Sequence, residues 1–109
     1  MSDIFRDREK GEESKFIHDQ ELRFKARVRR DRLLGLWVAS KFGLKGAEAE
    51  AYAKSLIETA LEKHGDARLI ERVMADCKAH NVELSRHRIL RHIEECDAEA
   101  RQQIMKEVR

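Results

Sequence analysis

The chain reads as an all-α protein, a small four-helix bundle with a long first helix and a projecting N-terminal arm. Three observations carry that reading. None of the 109 residues is proline, so the residue that most often breaks a helix is missing throughout. Ala, Leu, Glu, Lys and Arg, all good helix formers, dominate the composition. Thr59 is the only threonine and β-branched residues never cluster, which leaves strands without support.

Glycine supplies the punctuation: Gly11 interrupts the N-terminal stretch, Gly43 and Gly46 bracket a loop, and Gly65 closes the segment after it. From about Glu13 to Phe42 the chain can run as one helix. Phe16, Gln20, Phe24 and Val28 recur at four-residue steps and lead into Leu33, Leu34, Leu36, Trp37 and Val38. Such a helix is about 45 Å long, more than a bundle of this mass needs, so its first half is expected to project, with Trp37 as the largest anchor behind it. Gly35 costs about 1 kcal/mol relative to Ala in a helix, and a close helix–helix approach is the compensation expected there.

A second helix, Ala47 to Lys63, places Ala49, Tyr52, Ala53, Leu56, Ile57, Ala60 and Leu61 on one stripe. Gly65 is read as a left-handed stop and Asp66 as the N-cap of a third helix carrying Leu69, Ile70, Val73, Met74 and Cys77. Asn81 is expected to cap its C-terminus. Ser85 caps a fourth helix with Ile89, Leu90, Ile93, Cys96, Ala100 and Ile104. Past Asp97 the apolar pattern thins, and the last turns are expected to fray or lie exposed.

A chain of this length forms one domain plus at most an arm, here divided as residues 1–18 and 19–109. The net charge of +2 gives no whole-surface attraction to nucleic acid or membrane. No run has the length of a membrane span, and Met1 to Lys15 lacks the apolar stretch of a signal peptide. With two cysteines at apolar-face positions, a reducing cytoplasm is the natural compartment.

Sites for chemistry are weak. Cys77 and His80, followed by His87, His92 and Cys96, lack the paired short gaps of a zinc site, so both cysteines read as core side chains. His18, Asp19 and Glu21 are neighbours in sequence but point in different directions on a helix and form no triad. No glycine-rich phosphate loop or nucleophile elbow is present. The chain is therefore expected to be no enzyme and to hold neither metal nor cofactor.

Charge is distributed unevenly at the N-terminus. Residues 1–22 hold seven acids against four bases, whereas residues 23–32 hold Arg23, Lys25, Arg27, Arg29, Arg30 and Arg32 against Asp31 alone. These bases surround a helix instead of forming the stripe that tracks a phosphate backbone. A basic module for nucleic acid or nucleotide is thus the lesser alternative, and nucleic acid is not the expected partner. Residues 1–32 as a whole hold too few apolar side chains to fold on themselves. Phe5 and Phe16 lie eleven residues apart, close to three helical turns, and share a face once the segment is helical. That is the arrangement of a helix-in-groove ligand with a few anchors and a charged rim.

These residues also carry a family resemblance. Phe5 with Asp7-Arg8-Glu9, then Glu13, Lys15-Phe16, His18-Asp19, Glu21 and Phe24, resembles the opening of the ζ subunit family of alphaproteobacterial F-type ATP synthases. The run Arg29-Arg30-Asp31-Arg32-Leu33-Leu34-Gly35-Leu36-Trp37, with Ala39, is similar to that family's most distinctive stretch. Ala51-Tyr52-Ala53-Lys54, and Ser85 with His87 and Ile89, agree more loosely. The resemblance implies a four-helix regulator whose N-terminal arm blocks ATP hydrolysis by entering a catalytic α/β interface near γ. The α, β and γ subunits are then the expected partners, and ADP or ATP is a lesser ligand that the family suggests. The protein is expected to be cytoplasmic and peripheral to the inner membrane when bound. Too little exposed apolar area to force a dimer makes a monomer the expected free state. Partner contacts are expected from Ile4, Phe5, Arg8, Glu9, Lys15, Phe16, His18 and Asp19. Ile17, Asp31 and Gly11 depart from the family pattern, and Gly11 bears on the strength of inhibition.

Overall fold

A computed structural model describes residues 19–62 and 65–108, and these form four α-helices: α1 Gln20–Lys41, α2 Gly46–Glu62, α3 Asp66–Ala79 and α4 Arg86–Glu107. Helix α1 is the spine, packing extensively along both α2 and α4, whereas α3 touches α2 and α4 more lightly. The principal core joins Leu34 and Val38 of α1 to Leu56, Leu69, Ile70, Val73, Cys77, Leu84, Ile89, Ile93 and Cys96. Spacings of three and four residues put these side chains on one face of each helix.

At Gly35 the α1–α2 seam closes: a Cβ there would stand 2.5 Å from Ala53 Cα and 2.9 Å from its Cβ. The close approach expected from Gly35 is therefore present. The α2–α3 seam is polar instead. Arg72 donates to the Ser55 carbonyl at 2.9 Å and to Ser55 Oγ at 2.8 Å, while the Tyr52 hydroxyl donates to Asp76 at 2.7 Å. Burial and the neighbouring Asp76 carboxylate push the Tyr52 pKa well up, so the phenol stays a donor.

Helix ends follow from local sequence. After α1, Gly43 takes φ +77°, the Leu44 amide donates to Ala39 O at 3.0 Å and the Gly43 amide to Ser40 O at 3.2 Å, a Schellman closure. The end of α3 repeats it with Asn81 at φ 55°: Val82 N bonds Cys77 O at 2.8 Å, and Asn81 N bonds Lys78 O at 3.2 Å. Asn81 thus sits just past the cap, which is His80. Ser85 caps α4 as expected, its hydroxyl accepting from Arg88 N at 3.1 Å.

Five expectations are corrected. The first helix does not run on from Glu13, because Asp19 is extended (φ −91°, ψ 107°) and α1 starts at Gln20; residues 13–18 lie outside the described ones. The first half of α1 does not project. Ala26 is buried against Ile104, with Leu22 and Met105 packed around them. The same contact holds α4 as far as Ile104, with Ala100 and Ile104 at 0 % exposure, so the helix continues to Glu107 and its last residues, 106–108, lie exposed. The packing face of α1 runs through Leu22, Ala26 and Arg30, not through Gln20, Phe24 and Val28, and Phe24 is 56 % exposed. Lastly, Asp66 is the first residue of α3 and not its cap, a place held by Gly65. Smaller shifts go the same way: Trp37 is only partly buried while Leu34 is fully so, and Leu61, Met74 and Leu90 are exposed.

Gly35→Ala tests the seam. Ala is the better helix former by about 1 kcal/mol, yet the overpacking is expected to cost about 1–3 kcal/mol and lower the melting temperature by several degrees. A thermal melt by circular dichroism equal to or above wild type would show that the seam can open freely.

Candidate partner-binding surface

Of the expected contact residues, Ile4, Phe5, Arg8, Glu9, Lys15, Phe16 and His18 lie outside the described residues. Asp19 is described, and it is the N-cap of α1: its Oδ1 accepts from Glu21 N at 3.0 Å and Leu22 N at 3.2 Å. Two of the open amides at the start of the helix are satisfied this way. The bundle proper thus begins with a carboxylate that has a structural task, directly after the eighteen-residue segment that precedes it.

The basic stretch of α1 is mostly ion-paired within the fold. Arg29 grips Glu107 with both terminal nitrogens and also donates to Gln103 at 3.3 Å, while Lys25 stands 3.8 Å from the same glutamate. The hydrogen bond from Arg29 holds the Glu107 carboxyl below its ordinary pKa. Arg32 meets Glu50 at 2.7 Å. Arg30 is buried, donating to Asp31 Oδ1 from Nε at 3.0 Å and Nη2 at 2.9 Å, and to Asp66 Oδ1 at 2.8 Å. Two carboxylates around one guanidinium raise the Arg30 pKa despite burial. For Asp31, 2 % exposed, desolvation outweighs the attraction of Arg30 and pushes the carboxyl up. Arg23 and Arg27 are exposed, with Phe24 between them, and no carboxylate lies within 4 Å of either among the described residues. A stem with most of its bases engaged offers little to a polyanion, and that argues against the nucleic-acid alternative.

The histidines and cysteines are spread through the bundle. Cys77 and Cys96 are buried free thiols, and burial pushes Cys96 up to about 11, so both are core side chains as expected. His80 stacks on Phe42 with ring centroids 4.1 Å apart, and His92 stacks on Trp37 at 3.7 Å. Among the described residues no group of three or more His, Cys, Asp or Glu side chains could hold a metal ion. Nor is any described helix long and apolar enough to cross a membrane. The sequence reading missed the buried Arg30–Asp31–Asp66 cluster. Its one available signal was Asp31, the lone acid in a basic run.

The described residues thus form a small helical bundle in which most bases of α1 are ion-paired, and it stands directly after residues 1–18. Residues 1–103 match the family model described as ATPase inhibitor subunit zeta, and the chain belongs to that family. It is an inhibitor subunit and not an enzyme, and membership implies binding to, and inhibition of, the F-type ATP synthase. No curated protein matched the chain.

Two pH effects are expected. Because the Asp31 pKa is raised above its ordinary 3.8, the stability tied to this group is complete below that value and is lost as pH rises through the folded one. Asp31→Asn keeps an acceptor for Arg30 without a charge to bury, so at pH 7 it should melt at or above the wild-type temperature, the gap closing in acid. A loss of more than about 5 °C at pH 7 would show that the charged pair is net stabilising. Burial lowers the His92 pKa from 6.5 against the pull of Glu95, so its contribution is present above 6.5 and is lost as pH falls through the lower folded value. Trp37 fluorescence, sensitive to the stacked imidazole, is expected to titrate with a midpoint below 6.5 and to lose that transition in His92→Gln. A midpoint above 6.5 would reverse the assigned sign.

Proposed function

We propose that the protein inhibits ATP hydrolysis by the F-type ATP synthase through residues 1–18, which insert at a catalytic α/β interface near γ, while residues 19–109 anchor and present them. The observation that carries this reading is the family match beginning at residue 1, ahead of a bundle that starts at a capped Asp19. Phe5 and Phe16 serve as apolar anchors, aided by Ile4, and Arg8, Glu9, Lys15 and Asp19 make polar contacts around them.

A rotary enzyme cycles each catalytic interface through open and closed states. A ligand that binds one closed state far better than the others halts the cycle there, and its leverage is set by that difference in affinity. The inhibitor makes and breaks no bond, so affinity for one conformation is the whole mechanism. Gly11 weakens the segment as a helix by about 1 kcal/mol against Ala, so Gly11→Ala should inhibit at lower concentration.

The reading is tested by hydrolysis assays with the cognate enzyme. Deleting residues 1–18 should abolish inhibition while the far-ultraviolet spectrum and melt of the bundle persist. Replacing Phe5 or Phe16 by Ala should raise the half-inhibitory concentration about thirtyfold, the size of an anchor worth about 2 kcal/mol. Full inhibition by the truncated chain would refute the arm mechanism.

A further inference from the structure

Between residues 23 and 32, α1 carries six bases, and four of them are ion-paired among the described residues. Lys25 and Arg29 meet Glu107, Arg30 meets Asp31 and Asp66, and Arg32 meets Glu50. Arg23 and Arg27 stand one turn apart on the same side of the helix, where like charges repel. Arg27 acts on the fold through space by drawing down the Asp31 carboxyl, a role that needs no second arginine beside it.

Phe24 lies between this pair at 56 % exposure and is the only aromatic among the large exposed apolar side chains of the described residues. With Gln20 it lines a shallow cleft of about 230 Å³ against Arg23 and Arg27. A neighbouring cleft of about 220 Å³ adds Ala26, Arg30, Asp97 and Arg101 to the two arginines. An aromatic flanked by arginines is the make-up of a binding hot spot, with apolar area for affinity and forked donors for carboxylates. Two bases and a phenyl ring do not make a phosphate-tracking stripe. Charge complementarity therefore selects an acidic protein surface that also offers an apolar contact.

We propose that Arg23, Phe24 and Arg27 form a second docking surface, which seats on an acidic, partly apolar patch of the F-type ATP synthase. The proposal rests on the function given above and deepens it. Arg23 lies four positions after Asp19, so the surface stands immediately behind the inhibitory segment. Seating it converts engagement of residues 1–18 into an intramolecular step at high effective concentration. The exposed positive pair speeds encounter in a salt-dependent way.

The test is inhibition of the cognate enzyme by the full-length chain, titrated at low and at physiological ionic strength. Arg23→Glu with Arg27→Glu should raise the half-inhibitory concentration about tenfold or more and abolish most of its salt dependence. Inhibition at saturation should stay complete, with the far-ultraviolet spectrum of the bundle retained. Phe24→Ser should weaken inhibition without altering the salt dependence. Lys45→Glu with Arg86→Glu, the same change of charge at the opposite end of the bundle, should match wild type. If the reversed pair perturbs folding, Arg23→Gln with Arg27→Gln shifts the titration in the same direction by less. Unchanged inhibition by the reversed pair, or equal weakening by the control pair, overturns the proposal. So does a wild-type dimer in sedimentation that the reversed pair dissociates, because the surface then belongs to a second copy of the chain. Failure of the arm reading shows up separately, as full inhibition by the chain lacking residues 1–18.

Discussion

At Gly35, α1 comes so near to α2 that one added methyl group would meet the Ala53 backbone at 2.5 Å. That approach brings the fully buried Leu34 and Val38 into register with Leu56 and, through them, with the apolar faces of α3 and α4. The other side of α1 is held along its length by α4, from the Trp37–His92 stack at one end to the Ala26–Ile104 contact and the Arg29–Glu107 pair at the other. With α2 on one side and α4 on the other, α1 is packed from Leu22 to Val38.

The buried cluster of Arg30, Asp31 and Asp66 ties α1 to the start of α3 near the same end of the bundle. Buried ion pairs contribute little net stability against the apolar side chains that could replace them, but breaking one partner away is costly. The value of this one lies in register: it fixes the entry of α3 beside α1 at a place where the apolar core has ended. It also removes Arg30 from the surface. Together with the pairs to Glu107 and Glu50, this leaves a surface on α1 that is small, positive and centred on Phe24.

Much of the fold was legible in the sequence because periodicity and end signals agree. Leu69, Ile70, Val73 and Cys77 mark the buried face of α3, Ser85 marks the start of α4, and Gly35 marks the tight seam. The misreadings share one cause, which is that polar or small residues occupy buried positions. Arg30 and Asp31 interrupt the apolar face of α1, so the eye follows Gln20, Phe24 and Val28 instead. Ala100 and Ile104 look sparse until the equally small Ala26 is set against them. Asp66 follows a glycine and resembles a cap, yet its carboxylate is taken by a partner thirty-six positions earlier. For the candidate site, the family resemblance pointed to residues 4–19, and only Asp19 among them is described, as a helix cap. The second surface was hidden, since nothing local distinguishes Arg23 and Arg27 from the paired bases beside them.

In the proposed mechanism residues 1–18 inhibit and the bundle behind Asp19 holds them in place without rearranging. Hydrogen–deuterium exchange of the full chain, free and bound to its cognate ATPase, reads that division out amide by amide. Protection is expected to be gained in residues 1–18 and in the first two turns of α1, while the amides of α2, α3 and α4 keep their free-state rates. Loss of protection across α2 to α4 on binding, or gain confined to those helices, would contradict the mechanism.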